Sequence, residues 1–143
     1  MKIAFYKGWR GNWLDILICI FTFGAYSHCE LVVDERCYSS SPRDGGVRHK
    51  KFAISDKWII IDLPEMTERQ KDNFYLYFAN TIGKKYDYLG IFASFFLGLK
   101  WGNPDKYFCS EWCAEVLNYV YQFDIDVYSS PSRLKRHLEY YYL

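Results

Sequence analysis

The run YFCSEWCAEVL, residues 107–117, holds a cysteine whose position could support nucleophilic chemistry. The run has the pattern of a helix that follows a loop containing Pro104, so Cys109 falls in the first helical turn. In that turn the helix dipole and the free backbone N–H groups favour a thiolate. The same N–H groups can stabilise the oxyanion that forms when a thiolate attacks a carbonyl carbon. Cys109 is therefore a candidate nucleophile, provided that a general base lies close to it.

Cys113, four residues further on, is expected to be a core residue. At helical spacing the two cysteines share one face with apolar side chains, those of Val116, Leu117 and Val120. From the helix pattern alone, both Cys109 and Cys113 can be small buried hydrophobic residues with no reactivity. Glu111 and Glu115 are expected on the solvent side, where negative charge near a helix start is favourable.

Among the three histidines, His28 has the surroundings expected of a general base. It opens an apolar strand, and Glu30 follows two residues later, so the two side chains share one face of the sheet while Cys29 faces the other. A carboxylate beside an imidazole orients the ring and raises its basicity. His49 and His137 lie in basic runs and are expected to be solvated.

A metal site is the other chemistry open to the soft ligands of this chain. These are His28, Cys29, Cys37, Cys109 and Cys113. Structural zinc usually takes ligands in close pairs on a knuckle or loop, whereas Cys109 and Cys113 lie on a helix with no matching second pair. We therefore expect neither a metal nor a cofactor.

Composition limits the class of protein further. The 143 residues suit one domain, residues 1–143, and half of them are hydrophobic. The net charge of +1 does not favour a nucleic-acid partner. Five cysteines, an odd number, and no recognisable secretory signal favour a reducing compartment such as the cytoplasm. The apolar run 13–23 is too short to span a bilayer and is expected to be a buried helix or loop.

The first half of the chain has the pattern of strands. Residues 27–33 and 36–40 flank a turn and predict a hairpin, and the turn-like segment 42–46 precedes a third strand over 47–54. The N-terminus is expected to open as a strand, and the clearest strand is 57–63, ended by Pro64.

The second half has helical spacing. A helix is predicted from Glu68, capped by Thr67, to about Thr81. Further helices are predicted over 87–97, from Cys109 to about Gln122, and from Pro131 onwards. A meander of antiparallel strands followed by helices defines an α+β class.

These pieces, in this order, resemble the circularly permuted branch of the papain-like, NlpC-type superfamily. The resemblance rests on SHCELVV on an early strand, on CYSSSPRDGGVR, on GKKYDYLG at residues 83–90, and on YFCSEWCAEVL. Relatives of this branch include permuted bacterial amidases and peptidases, a poxvirus group and lecithin retinol acyltransferase. The combination of SHCELV with SSSPRDGGVR is similar to small proteins of tailed bacteriophages. The fold implied is an antiparallel sheet or barrel-like meander packed against a cysteine-bearing helix.

The resemblance also implies roles for individual residues. Cys109 would be the nucleophile and His28 the general base. The residue that orients the imidazole would be Glu30 or Ser40. Ser40 is the alternative because in many relatives the orienting residue comes from the next strand. Tyr86 and Asp87 would brace the cysteine helix.

The function implied is a thiol-dependent hydrolase, such as an amidase or peptidase, or an acyltransferase. Two alternatives stay open: a catalytically silent binding or virion protein that keeps the fold, and a peptidoglycan endopeptidase or amidase. An amide, ester or thioester is the expected substrate class, with no nucleic acid and no integral membrane segment. The expected location is the cytoplasm, that of the host if the protein is viral.

Overall fold

The computed structural model describes residues 1–53 and 55–143 and has an α+β architecture around an open sheet of seven strands. The strands are β1 Lys2–Lys7, β2 Tyr26–Val33, β3 Arg36–Ser41, β4 Gly46–Lys51, β5 Trp58–Asp62, β6 Lys85–Tyr86 and β7 Lys106–Tyr107. Their order across the sheet is β5-β1-β2-β3-β4-β6-β7. The pairs are antiparallel except for β6 and β7, which run parallel. The predicted class and the mainly antiparallel sheet are confirmed.

The predicted hairpin is formed by β2 and β3. Asp34 and Glu35, the two turn residues, have φ angles of 46° and 61°, the left-handed conformation that a tight two-residue hairpin turn requires. The predicted third strand is β4, which ends at Lys51; Ile54, the last residue of that prediction, lies outside the described residues.

β2 and β3 pair only near their turn. The ladder joins Leu31 to Tyr38, Val32 to Cys37 and Val33 to Arg36. Farther from the turn the backbone hydrogen bonds between the two strands end. There the Ser39 hydroxyl donates to the Cys29 carbonyl at 2.8 Å. The Ser40 hydroxyl donates to the carbonyl of Tyr107 at 2.7 Å. The chain that leads into the cysteine-bearing helix is therefore held beside the place where the two strands separate.

The helices are α1 Trp13–Thr22, α2 Glu68–Thr81, α3 Tyr88–Ile91, α4 Cys109–Tyr121 and α5 Pro131–Tyr141, with a 3₁₀ turn at Gly8–Arg10. α3 continues as a π-helical segment, Phe92–Phe96. Thr67 caps α2 through its side-chain oxygen, as the sequence predicts. α5 begins at Pro131, also as predicted, and the Ser130 side chain caps it. The start of α4 at Cys109 is also as predicted.

The hydrophobic core lies between one face of the sheet and helices α2, α4 and α5. Alternate residues of β2, namely Cys29, Leu31 and Val33, belong to it, and so do the large side chains of Phe74 and Trp112. The Trp112 indole N–H donates to the Thr81 hydroxyl at 2.9 Å, which links α4 to α2. These contacts fix the position of α4 over the sheet, and hence the position of Cys109.

The prediction that the apolar run 13–23 is buried is wrong. The run does form a helix, α1, which is one of the two predicted alternatives. Only Ile18 and Cys19 of this helix are buried, however, whereas Trp13 is 73% exposed and Phe23, which follows the helix, is 94% exposed. Periodicity could not reveal this, because nearly every residue of the run is apolar. Of the helices in the part of the chain that the structure describes, none is long and apolar enough to cross a bilayer.

Candidate active site

His28 and Glu30 form a half-buried pair on β2. The imidazole Nε2 lies 3.0 Å from Glu30 Oε1. The side chains are 16% and 4% exposed, respectively, so water screens the pair weakly. Both project from the face of β2 opposite the core, as the predicted alternation requires, while Cys29 belongs to the core.

Arg48 of β4 holds Glu30 from the other side. Its Nη2 donates to the same Glu30 Oε1 at 2.6 Å, and its Nε donates to Asp44 Oδ2 at 2.6 Å. Burial alone would raise the pKa of the Glu30 carboxyl, but His28 and Arg48 outweigh it and lower that pKa well below its ordinary value. Glu30 is therefore a fixed carboxylate that accepts from both cations through one oxygen.

Cys109 lies at the first position of α4, within the core and 2% exposed. The pKa of Cys109 lies well below the ordinary value for cysteine, and the neighbouring Cys29 thiol has the largest influence on it. Burial opposes the shift, whereas His28 and the backbone amide of Cys29 add to it. The pKa of the Cys29 thiol is raised by burial and by its neighbours Cys109 and Cys113, so Cys29 stays protonated and can donate.

The pKa of His28 moves in the opposite direction. Burial would lower it, but the Cys109 thiolate and the Glu30 carboxylate outweigh burial and raise the pKa of His28 to about 10. The imidazole faces Glu30 through Nε2, and His28 and Cys109 lie close enough that each shifts the pKa of the other. The two shifts favour the charged forms of both groups, a thiolate at Cys109 and an imidazolium at His28, next to the Glu30 carboxylate.

Ser40 is the alternative to Glu30 as the orienting residue, but its hydroxyl donates its hydrogen bond to another group and not to the imidazole. Its hydroxyl is fully buried and donates to the Tyr107 carbonyl, two residues before Cys109. The backbone N–H of Asp87 donates to the same carbonyl at 3.0 Å. Ser40 and Asp87 thus secure the chain before α4, which is the bracing expected of Asp87, and Tyr86 is buried close to Cys109.

Helix α4 also carries Cys113, Glu111 and Glu115, and these three side chains are buried to different degrees. Cys113 is fully buried, as predicted. The prediction that Glu111 and Glu115 face solvent is wrong: Glu111 is 3% exposed and accepts from the backbone N–H of Phe108, and Glu115 is half-buried and accepts from the hydroxyl of Tyr77. Burial, with the nearby negative charges, raises the pKa of Glu111 to about 8.

A cavity of about 410 Å³ lies against the sheet face that carries His28 and Glu30. α1 closes part of it through Leu14 and Ile18, and Tyr86 lines it near Cys109. Cys109 itself does not line the cavity. A ligand in this cavity would therefore contact His28 directly and would not contact the Cys109 thiol.

Sequence reasoning missed Arg48. Arg48 precedes His49 in the same basic run, and the signal that could have found it is the strand register: β4 pairs Arg48 with Ser39, on the side of the sheet that Glu30 shares. The structure brings together Cys109, His28 and Glu30, adds Arg48, and leaves His49 and His137 elsewhere. Within the described residues, no group of three or more His, Cys, Asp or Glu side chains is arranged to hold a metal, and the five cysteines are all free.

Comparisons of this chain with family models, with curated protein sequences and with solved structures give no match.

Proposed function

We propose that this protein is a thiol-dependent hydrolase of the amidase or peptidase type, or an acyltransferase, that works through an acyl-enzyme on Cys109. In this proposal His28 is the acid–base residue, Glu30 orients it and Arg48 positions Glu30. The observation that carries the proposal is the fixed His28–Glu30 pair at 3.0 Å, set beside a cysteine at a helix N-terminus whose pKa is lowered.

The proposed reaction begins with the proton already on His28. The Cys109 thiolate attacks the carbonyl carbon of an amide, ester or thioester, and the carbonyl oxygen becomes an oxyanion. Backbone N–H groups in the first turn of α4, which have no intrahelical acceptor, are available to stabilise it. The imidazolium then gives its proton to the leaving group as the carbon–heteroatom bond breaks, which leaves an S-acyl cysteine and a neutral imidazole.

His28 acts as a base in the second half of the reaction. It takes a proton from water or from an acceptor amine or alcohol, which attacks the acyl carbon and releases Cys109 as the thiolate. Throughout, Glu30 keeps Nε2 protonated and Nδ1 directed at the reacting atoms. Proton transfer of this kind contributes roughly 10² to 10⁴-fold to a rate.

The proposed fold assignment is a circularly permuted papain-like domain. It is supported by the order of the parts, since the strand with His28 precedes the helix with Cys109, and by the packing of α4 on a mainly antiparallel sheet. β2 and β3 separate beside the start of α4. This separation lets Cys109, which lies in the core, interact with His28, which projects from the other face of β2.

A second candidate function, a catalytically silent binding protein, is favoured by one observation. Cys109 is only 2% exposed, and the cavity is lined by His28 but not by the thiol. A silent protein would bind a ligand in the cavity and never form a covalent intermediate.

The experiment that separates the two candidates is acyl-enzyme trapping. The purified protein is mixed with a panel of activated aryl esters, thioesters and anilides, and the covalent product is mapped by mass spectrometry. We expect one acyl group on Cys109 and no adduct in the C109A variant, with C113A as the matched control that still forms it. Failure to acylate Cys109 with any donor class, in folded protein, would favour the silent candidate.

A further inference from the structure

The cavity beside His28 has two chemically different walls. Strand register places Trp58, Tyr6 and His28 side by side, because Tyr6 pairs with Trp58 on one side and with His28 on the other. The rings of Trp58 and Tyr6 are 5.2 Å apart, and Phe52 packs on Trp58 at 5.8 Å. An aromatic wall therefore adjoins the imidazole on the β1 and β5 side.

The opposite wall is cationic. Arg48 and Lys50 lie on β4, and Arg43 and Lys51 add two further positive charges to the lining, whose only carboxylates among the described residues are Asp15 and Glu30.

The acids near this wall are already shared between cations. Glu30 interacts with both His28 and Arg48, and Asp44 accepts from both Arg48 and Lys50. Nη1 of Arg48 is buried and has no hydrogen-bond partner in the described part of the chain. Asp15 in turn pairs with Arg43 at 3.4 Å. Among the described residues Lys51 is therefore the lining cation without a carboxylate partner, and an anionic ligand would balance its charge.

We propose that the cavity binds a carboxylate-bearing ligand with an apolar or aromatic body, the carboxylate towards Lys50 and Lys51 and the body against Trp58 and Tyr6. In the strand order His28, on β2, lies between β1 and β5 on one side and β4 on the other. That this ligand is the acyl substrate rests on the proposed function. In that case the scissile carbonyl lies between the carboxylate and the apolar group, where it meets His28.

The test uses three small probes of matched shape that contain no bond for a thiol to cleave: hydrocinnamate, hydrocinnamyl alcohol and phenethylamine. Binding to the wild-type protein is followed by NMR through the Trp58 indole N–H resonance. We expect hydrocinnamate to bind most tightly, the alcohol more weakly and the amine most weakly. Added salt should weaken only the binding of hydrocinnamate.

Variants locate the charge that is responsible. K50Q and K51Q should each weaken hydrocinnamate binding by about fivefold, as expected for one partly exposed ion pair, and leave the alcohol unaffected. R136Q is the matched control, because Arg136 is an exposed cation on α5, outside the cavity. Equal affinity for hydrocinnamate and the alcohol, or an equal effect of R136Q, would overturn the proposal.

The outcomes also separate this inference from the proposed function. Because no probe can be cleaved, selective binding of hydrocinnamate supports the inference whether or not Cys109 can be acylated. Acylation of Cys109 without charge selectivity would leave the proposed function standing and remove the inference.

Discussion

Nε2 of His28 lies 3.0 Å from Oε1 of Glu30, two residues farther along the same strand. The oxygen that faces the imidazole also accepts from Arg48 at 2.6 Å. A neighbour at this spacing on one strand can thus orient an imidazole when a cation on another strand fixes the carboxylate.

Replacing Glu30 by glutamine should lower the pKa of His28 from about 10 towards its ordinary value of 6.5, because one of the two negative charges beside the ring is lost. The rate of acyl transfer should fall roughly 10²-fold, which is at the lower end of what acid–base catalysis contributes. NMR titration of the His28 ring protons measures the pKa. E65Q, at an exposed glutamate, is the control. An unchanged His28 titration in E30Q would rule out Glu30 as the orienting residue.

Replacing Ser40 by alanine should affect stability and not the His28 titration. The Tyr107 carbonyl would lose one of its two hydrogen bonds and keep the one from the Asp87 N–H, so the expected cost is about 0.5–1.5 kcal/mol. Urea unfolding measures the loss, and the His28 pKa should stay at its wild-type value. If S40A lowered that pKa as E30Q does, Ser40 would have to contact the imidazole after all.

The two cysteines of α4 should respond differently to truncation. C109A should abolish acyl transfer in a protein that still folds. C113A should keep the activity and lose about 1 kcal/mol of stability, since a fully buried sulfur leaves a small cavity. Rates and unfolding curves for both variants check this. Comparable rates in C109A and wild type would contradict the assignment of the nucleophile.

The stabilisation that Cys109 and His28 provide should vary with pH in a defined way. The pKa of His28 is raised, so its contribution is complete below 6.5 and is lost as pH rises through about 10. The pKa of Cys109 is lowered, so its contribution is complete above 9.0 and is lost as pH falls through the lowered value. Between 6.5 and 9.0 one contribution falls while the other grows, and the folded and unfolded chains hold the same number of protons.

The difference in unfolding free energy between wild type and the double variant C109A/H28A, which lacks both groups, should therefore be level between about pH 6.5 and 9.0 and decrease on both sides. Urea titrations of the two proteins across this range measure it. A difference that rose steadily through the same range would show that no thiolate–imidazolium pair forms.

Local signals were sufficient for much of the fold and for part of the site. The bounds of α2 follow from the cap at Thr67 and from helical spacing, and α4 begins at Cys109 because a loop precedes an amphipathic run. The shared face of His28 and Glu30 follows from the two-residue period of a strand. Each of these features depends on residues that are close in sequence.

Features that depend on distant residues were not predictable in the same way. β5 pairs with β1, and Arg48 reaches Glu30 across the separation of β2 and β3, through contacts that no local pattern specifies. The burial of Glu111 depends on what packs over the start of α4, and the exposure of Trp13 on what does not cover α1. In each case tertiary packing, rather than local preference, sets the environment of the side chain.

An ion pair between Cys109 and His28 can be detected by the pH titration of the Cys109 thiolate, followed by its ultraviolet absorbance with C109A subtracted. This readout does not require a reagent to reach the buried sulfur. The thiolate should persist well below the ordinary cysteine pKa of about 8.5, and the H28A variant should move its titration upwards. A Cys109 pKa at or above the ordinary value in the wild-type protein would contradict the account.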